Sequence, residues 1–363
     1  MANRRTQTPP FRTFAALFVI SFLILFLELA CIRWFGSYVV FLTFFTNVVL
    51  LASFVGMSIG CLAASRKANF IRWTPAIALL SVSAALGIRL AYSDQTIAID
   101  VGPQVSPERV YFGTGHQHPD PGILGIPVEA IAGFFFILIV LMFIGLGQVL
   151  GRQLEAIPNR VVAYSTNILG SLAGILAFGL MSFLWLSPFW WFLVALGGCC
   201  FFITGAAWPR TLHWACAAVT IVLVGLAGNG MLHQLAGKEV DGREIIWSPY
   251  YRVDFIPKDR DISVNSISHQ GMLSHGSQGI AYALPYLLSQ DSGRRPVQDV
   301  LIIGAGSGND TSAALAAGAL RVDAVEIDPA ILSLGKHHHP DRPYQDARVK
   351  VHAADGRNFL KET

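Results

Sequence analysis

The chain has 363 residues, of which 53% are hydrophobic and only 13% charged, with a formal net charge of +3. A soluble globular domain carries about a quarter charged residues, so the composition excludes a wholly soluble protein. Nor does the small positive balance indicate a nucleic-acid partner: residues 1–236 hold 12 Lys/Arg against 7 Asp/Glu, residues 237–363 hold 14 against 16, and the excess sits in loops between apolar runs.

A helix that crosses the hydrocarbon layer needs about 20 mostly apolar residues. Seven runs approach or exceed that length: 14–35, 38–63, 73–92, 128–150, 162–186, 188–207 and 211–234. They predict an integral membrane domain over 1–236 with about seven transmembrane helices and the lipid bilayer as a partner. The first run is too long for a cleaved signal, and six more follow it. Arg4, Arg5 and Arg12 precede the first run, and Arg66, Lys67, Arg72, Arg152, Arg160 and Arg210 fall on the same side if the chain alternates. The positive-inside rule makes that side cytoplasmic and the 93–127 loop external. Seven spans starting inside would put 237–363 outside, whereas nucleotide cosubstrates are cytoplasmic. A span count wrong by one, a re-entrant run or an external polar domain would each resolve the conflict. The chemistry of the polar domain favours the cytoplasmic face of the cell (inner) membrane.

Within the runs, Glu28 is a functional candidate because a carboxylate in lipid is costly, with Arg33 five residues on as a possible ion-pair partner. The pairs Gly56/Gly60, Gly147/Gly151 and Gly170/Gly174 have the spacing of close helix packing, and Asn47 and Asn167 suit hydrogen bonds between helices. The five cysteines all lie in apolar runs without a CxxC, so neither a disulfide framework nor a zinc site is expected. His116, His118 and Asp120 lie between prolines in the outer loop and read as a solvated turn, and His337 to His339 read as a solvated loop before Pro340. No metal is expected.

The polar part divides into a β-rich lobe, 237–290, and a Rossmann-like region, 291–363. Strands are predicted over 244–256 and 262–268, with a helix over 279–290. Strand and helix then alternate: 299–304, 310–318, 322–327, 329–335 and 348–353, the pattern of parallel βαβ units. Here the chemistry concentrates. An apolar strand from Val300 runs into Gly304-Ala305-Gly306-Ser307-Gly308-Asn309-Asp310, where glycines allow a tight turn and close ligand approach. Glu326 follows Gly304 by 22 residues, at the end of the next strand, where an acid can accept both ribose hydroxyls. The third glycine comes one residue early for a dinucleotide fingerprint, and Asp310 near the helix start repels a phosphate but tolerates a sulfonium or an amine. An adenosyl-sulfonium cosubstrate is therefore preferred to NAD. Asp355, after the third strand, can accept from an adenine amino group or cap the helix that follows.

In Val300 to Gly308, Val325-Glu-Ile-Asp-Pro329, Tyr344-Gln-Asp-Ala-Arg348 and Asp355-Gly-Arg-Asn-Phe-Leu360, residues 243–363 resemble the spermidine synthase family, the polyamine aminopropyltransferases. Glu28-Leu-Ala-Cys-Ile-Arg33, Gly56-Met-Ser-Ile-Gly60 and Tyr164 to Gly170 are similar to the apolar region of its membrane-bound members. The resemblance implies a class I S-adenosylmethionine-type domain. Its cosubstrate contacts would be Gly304, Gly306, Ser307, Gly308, Glu326, Asp355 and Gly356, with Gln270 as the family's glutamine at a spacing one residue longer. His269 and Tyr282 would lie on the substrate side, facing a small-molecule amine. Three departures stand out. Ser307 replaces the family's Asp, Tyr282-Ala283-Leu284 replaces Tyr-His-Glu, and the family's catalytic Asp is expected beyond Thr363. The chain as written is thus expected to be a fragment without turnover. Three functions stay open: aminopropyl transfer from decarboxylated S-adenosylmethionine, methyl transfer from S-adenosylmethionine, and a membrane transporter or sensor with a non-catalytic nucleotide lobe. The sequence names no acceptor beyond an amine, and no oligomeric state.

Overall fold

The computed structural model describes residues 11–39, 42, 46–100, 123–203, 207–231, 242–293 and 297–362. Arg4, Arg5, His116, His118 and Asp120 lie outside them. The chain divides into two compact units, Met1–Lys238 and Glu239–Thr363.

The first unit contains the apolar helices α1 (Phe11–Tyr38), α2 (Thr46–Leu62), α3 (Thr74–Ser93), α4 (Val128–Ala156), α5 (Arg160–Phe183), α6 (Pro188–Phe201) and α7 (Ala207–Gly228). Among the described residues five helical stretches are long and apolar enough to cross a membrane: Phe11–Tyr38, Phe70–Ser93, Val128–Ala156, Arg160–Phe183 and Arg210–Gly228. Of the seven runs expected, the other two form shorter apolar helices, α2 and α6, of 17 and 14 residues. At 1.5 Å per residue α6 extends about 21 Å, short of a layer about 30 Å thick. It stops where the Phe202 N–H closes on the Cys199 carbonyl. Short parallel strands β1 (Ile97–Asp100) and β2 (Leu124–Pro127) pair between α3 and α4.

The helices meet backbone to backbone at the paired glycines. A Cβ on Gly56 or Gly60 would lie 2.4 or 2.3 Å from the Val140 or Ile144 carbonyl oxygen of α4. One on Gly147 would lie 2.4 Å from the Met57 oxygen, and on Gly170 and Gly174 2.4 Å from those of Phe18 and Phe22 in α1. In lipid, where burial drives association little, such close approach and hydrogen bonds between helices hold a bundle together. Ser21 donates to Asn167 Oδ1 at 2.8 Å, linking α1 to α5. Gln148 and Arg152 of α4 together donate to the carbonyls of Ala63, Ala64, Arg66 and Ala68 and to the Asn69 side chain, and Gln148 Oε1 accepts from the Phe70 N–H. Glu28 is buried and meets Ser53 of α2. Arg33 donates to Ser182 at 2.7 Å and lies over the Trp191 ring at 4.8 Å, so the two charged side chains leave α1 toward different helices.

The second unit holds two sheets. The antiparallel one runs β3 (Glu244–Trp247), β4 (Arg252–Ile256), β5 (Asp261–Val264), β6 (Ile267–Gly271) in order. The two strands expected over 244–256 and 262–268 are each two. Ser248-Pro249-Tyr250 breaks the first, since proline offers no N–H to a ladder. Asn265 and Ser266, at φ 49° and 69°, form a two-residue hairpin turn in the second. After helix α8 (Ile280–Asp291) comes a parallel sheet in the order β7 (Asp299–Ile303), β8 (Arg321–Glu326), β9 (Val349–Ala353). Helices α9 (Asn309–Ala316) and α10 (Pro329–His338) connect these strands, and α11 (Gly356–Glu362) follows. Val253, Phe255 and Ile262 pack on Ile331 and Leu334 of α10, so the two sheets share α10.

Candidate functional site

The carboxyl ends of β7 and β8 fix the site. Chain leaving β7 must turn at once, and Gly304, Gly306 and Gly308 do so at φ 77°, 56° and 111°, values that side chains with a Cβ rarely adopt. The N–H groups of Gly304 and Ala305 both donate to the Val325 carbonyl, at 2.8 and 3.0 Å, fastening the turn to β8. Tyr344 donates its hydroxyl between the carbonyls of Ala305 (3.0 Å) and Gly306 (2.7 Å), and burial pushes that hydroxyl's pKa up. Gly335 lets α10 press against the turn: a Cβ there would stand 2.4 Å from the Ser307 oxygen.

Glu326 spans two loops. Its Oε2 accepts from Gly306 N and its Oε1 from Asp328 N, both at 2.9 Å. Asp328 is fully buried; it caps α10 by accepting from Ala330 N at 2.8 Å and takes the Ser248 hydroxyl at 2.6 Å. Burial raises its carboxyl pKa against those bonds, and burial beside Asp328 and Glu326 raises that of the Tyr251 hydroxyl. Two carboxylates, Glu326 and Asp328, thus stand two residues apart at the end of β8.

Gln270 approaches from β6. Its Oε1 accepts from Ser307 N at 3.1 Å and from the Ser307 hydroxyl at 3.0 Å, and its amide lies where a side chain on Gly306 would be. β6 carries a bulge: Ile262 faces Gln270 while Ser263 faces Ser268, which leaves His269 as the extra residue. His269 itself is exposed and takes no part in these bonds. Tyr282 is drawn in through Asn309, whose amide donates to the Tyr282 hydroxyl (3.2 Å) and the Gly271 carbonyl (2.8 Å). Asp355 is exposed and caps α11 by accepting from Asn358 N at 2.9 Å. The neighbouring Ala354 N–H joins β9 to the Glu326 carbonyl at 3.1 Å. Gly356 sits against Ile303, where a Cβ would lie 2.3 Å from its Cγ2. The structure therefore gathers Gly304, Gly306, Ser307, Gly308, Glu326 and Gln270 around one turn. Tyr282, Asp355 and Gly356 lie on segments tied to it, and His269 stands apart.

Sequence reasoning missed the centre of this network. Asn309 Oδ1 also accepts from Leu273 N at 3.1 Å, and His339 Nε2 lies 3.0 Å from it. Leu273 N can only donate, so the amide orientation is fixed and His339 must donate from Nε2. Its Nδ1 then accepts from Asp341 N at 3.1 Å. Burial lowers the imidazole's pKa, in keeping with that neutral tautomer. The solvated-loop reading of the three histidines is corrected: His337 and His338 complete α10, His338 packs on Phe255 at 4.7 Å, and His339 is buried. The signal available was Asn309, an amide among small residues at the head of a helix. Among the described residues no group of three His, Cys, Asp or Glu is placed to hold a metal ion.

No protein-family model matches the chain, and no curated protein matches it.

Proposed function

We propose that the chain is a membrane-anchored, spermidine synthase-like transferase whose Rossmann-like lobe, on the cytoplasmic face of the cell membrane, binds an adenosyl-sulfonium cosubstrate and serves aminopropyl transfer to a small amine. The observation that carries this reading is the bond from Gly306 N to Glu326 Oε2, which joins the glycine turn to the acid that ends the next strand. Each Glu326 oxygen accepts one backbone bond and keeps a lone pair for a ribose hydroxyl. The acidic surroundings of Glu326 and Asp328 suit decarboxylated S-adenosylmethionine, which is cationic and lacks a phosphate. In the transfer a neutral amine attacks the carbon beside the sulfonium. The carbon–sulfur bond breaks with its electrons going to sulfur, and the new ammonium releases a proton to a base or to water. The lobe's contribution is positioning.

Calorimetric titration of the detergent-solubilised chain with decarboxylated S-adenosylmethionine, S-adenosylmethionine and NAD tests this. Either sulfonium compound is expected to bind and NAD not, and Glu326→Ala to weaken binding at least about tenfold, the loss of charge-assisted hydrogen bonds. Binding of NAD alone, or unchanged affinity in the variant, would sink the reading. Methyl transfer from S-adenosylmethionine is the second reading. Ser307 supports it, because an uncharged, fully buried residue stands where the resemblance calls for Asp, so a cosubstrate carboxylate meets no anion there. Tighter binding of S-adenosylmethionine than of its decarboxylated form selects it.

A further inference from the structure

The short helix α6 and the longer α7 leave a groove of about 770 Å³ between them. Its walls are apolar, from Phe201 and Gly197 on α6 to Trp214, Ala217 and Ile221 on α7, and its one charged lining residue is Arg210. From Arg210 to Ile221 the groove follows α7 for about 16 Å. Arg210 is exposed and has no ion-pair partner among the described residues. None can come from the surrounding sequence, which contains no Asp or Glu between Glu155 and Glu239. Trp73 meets His213 at 6.0 Å, so Arg72 and the exposed ring of Trp73 lie at the same end of the bundle as Arg210 and Trp214. Tryptophans beside arginines mark the level of lipid headgroups. A Cβ on Gly197 would meet nothing within 4 Å, so the groove is open along α6.

We propose that this groove binds one anionic phospholipid, its phosphate paired with Arg210 and an acyl chain lying along α7 where α6 is too short to cover it. A cation at the mouth of an apolar cleft between membrane helices is complementary to that amphiphile, and among the described residues no carboxylate pairs with it. A zwitterionic lipid fills the same volume but carries no net charge to reward the pairing.

The test uses the full chain in mild detergent, titrated with phosphatidylglycerol or phosphatidylcholine of identical acyl chains and read by native mass spectrometry. The wild type is expected to prefer phosphatidylglycerol about fivefold, the preference one arginine confers near a membrane surface. Arg210→Gln should abolish that preference and Arg210→Lys keep it. Gly197→Phe, which projects into open space, should weaken both lipids alike. Equal binding of the two lipids by the wild type, or a preference that survives Arg210→Gln, overturns the proposal. So does competition by glycerol phosphate as effective as by the lipid, because the ligand would then be a free anion. If Arg210→Gln does not fold, the lysine and Gly197 variants carry the test, and indifference to Gly197→Phe overturns it.

Discussion

The two units are held together by opposite means. In Met1–Lys238 the decisive contacts are absences of side chain, with glycines bringing the backbones of α2 and α4, and of α1 and α5, into contact. In Glu239–Thr363 they are buried polar side chains that tie loops together: Asn309 across four segments, Glu326 across two, and Asp328 between Ser248 and α10. The difference follows from the solvent. Lipid rewards apolar burial little, so shape decides packing there. In water apolar burial is available, and unsatisfied backbone groups in the turns are what must be answered.

That contrast can be broken most sharply at Gly147. Gly147→Leu would drive a side chain into the Met57 backbone, and we expect a loss of about 3 kcal/mol, the upper range for overpacking, with poor recovery of folded protein. Gly87→Leu, which meets nothing within 4 Å, should be tolerated. Hydrogen exchange should show the loss in α2 and α4 while the second unit keeps its protection. Equal tolerance of both variants would break the comparison.

The matching lesion in the lobe is Arg252→Met. Arg252 and Asp254 pair at 2.9 Å with side chains 1% and 4% exposed. Removing the cation takes the ion-pair partner from a buried carboxylate, and about 3 kcal/mol of destabilisation is expected in the exchange of β3 to β5 amides. Adding Asp254→Leu should restore most of it, since an apolar pair of similar volume has no charge to bury. If the double variant is worse than the single one, electrostatics is not what holds this sheet.

The smallest effect lies at the surface. Hydrogen bonds from Arg348 hold the Asp346 carboxyl down at about 2, against about 3.9 unfolded. A depressed carboxyl contributes stability that is complete above the unfolded value and is lost as pH falls through the folded one. Protection at the start of β9 should therefore decline between about pH 4 and pH 2, and Asp346→Asn should flatten that decline. A profile identical in the two proteins would remove Asp346 from the account.

How far the sequence could be read follows the same divide. The glycine pairs were legible because a spacing of four sets one helix face whatever surrounds it. The turn at Gly304 and the acid at Glu326 were legible because strand, turn and helix are consecutive. The helix lengths were not: hydropathy records where an apolar run ends, whereas α6 ends earlier, where its own turn tightens at Phe202. Nor were the partners of Asn309 and His339 legible, since they come from residues far apart in the chain. Nor was the bulge at His269 legible. A bulge is a property of two paired strands, and no single strand displays it.

Glu326 has one more consequence, for rates. Because its two oxygens already grip both loops, the glycine turn is shaped before any ligand arrives. A molecule docking there need not wait for the backbone to order, so its capture should follow a single exponential whose rate rises linearly with concentration, without the plateau that a slow closing step imposes.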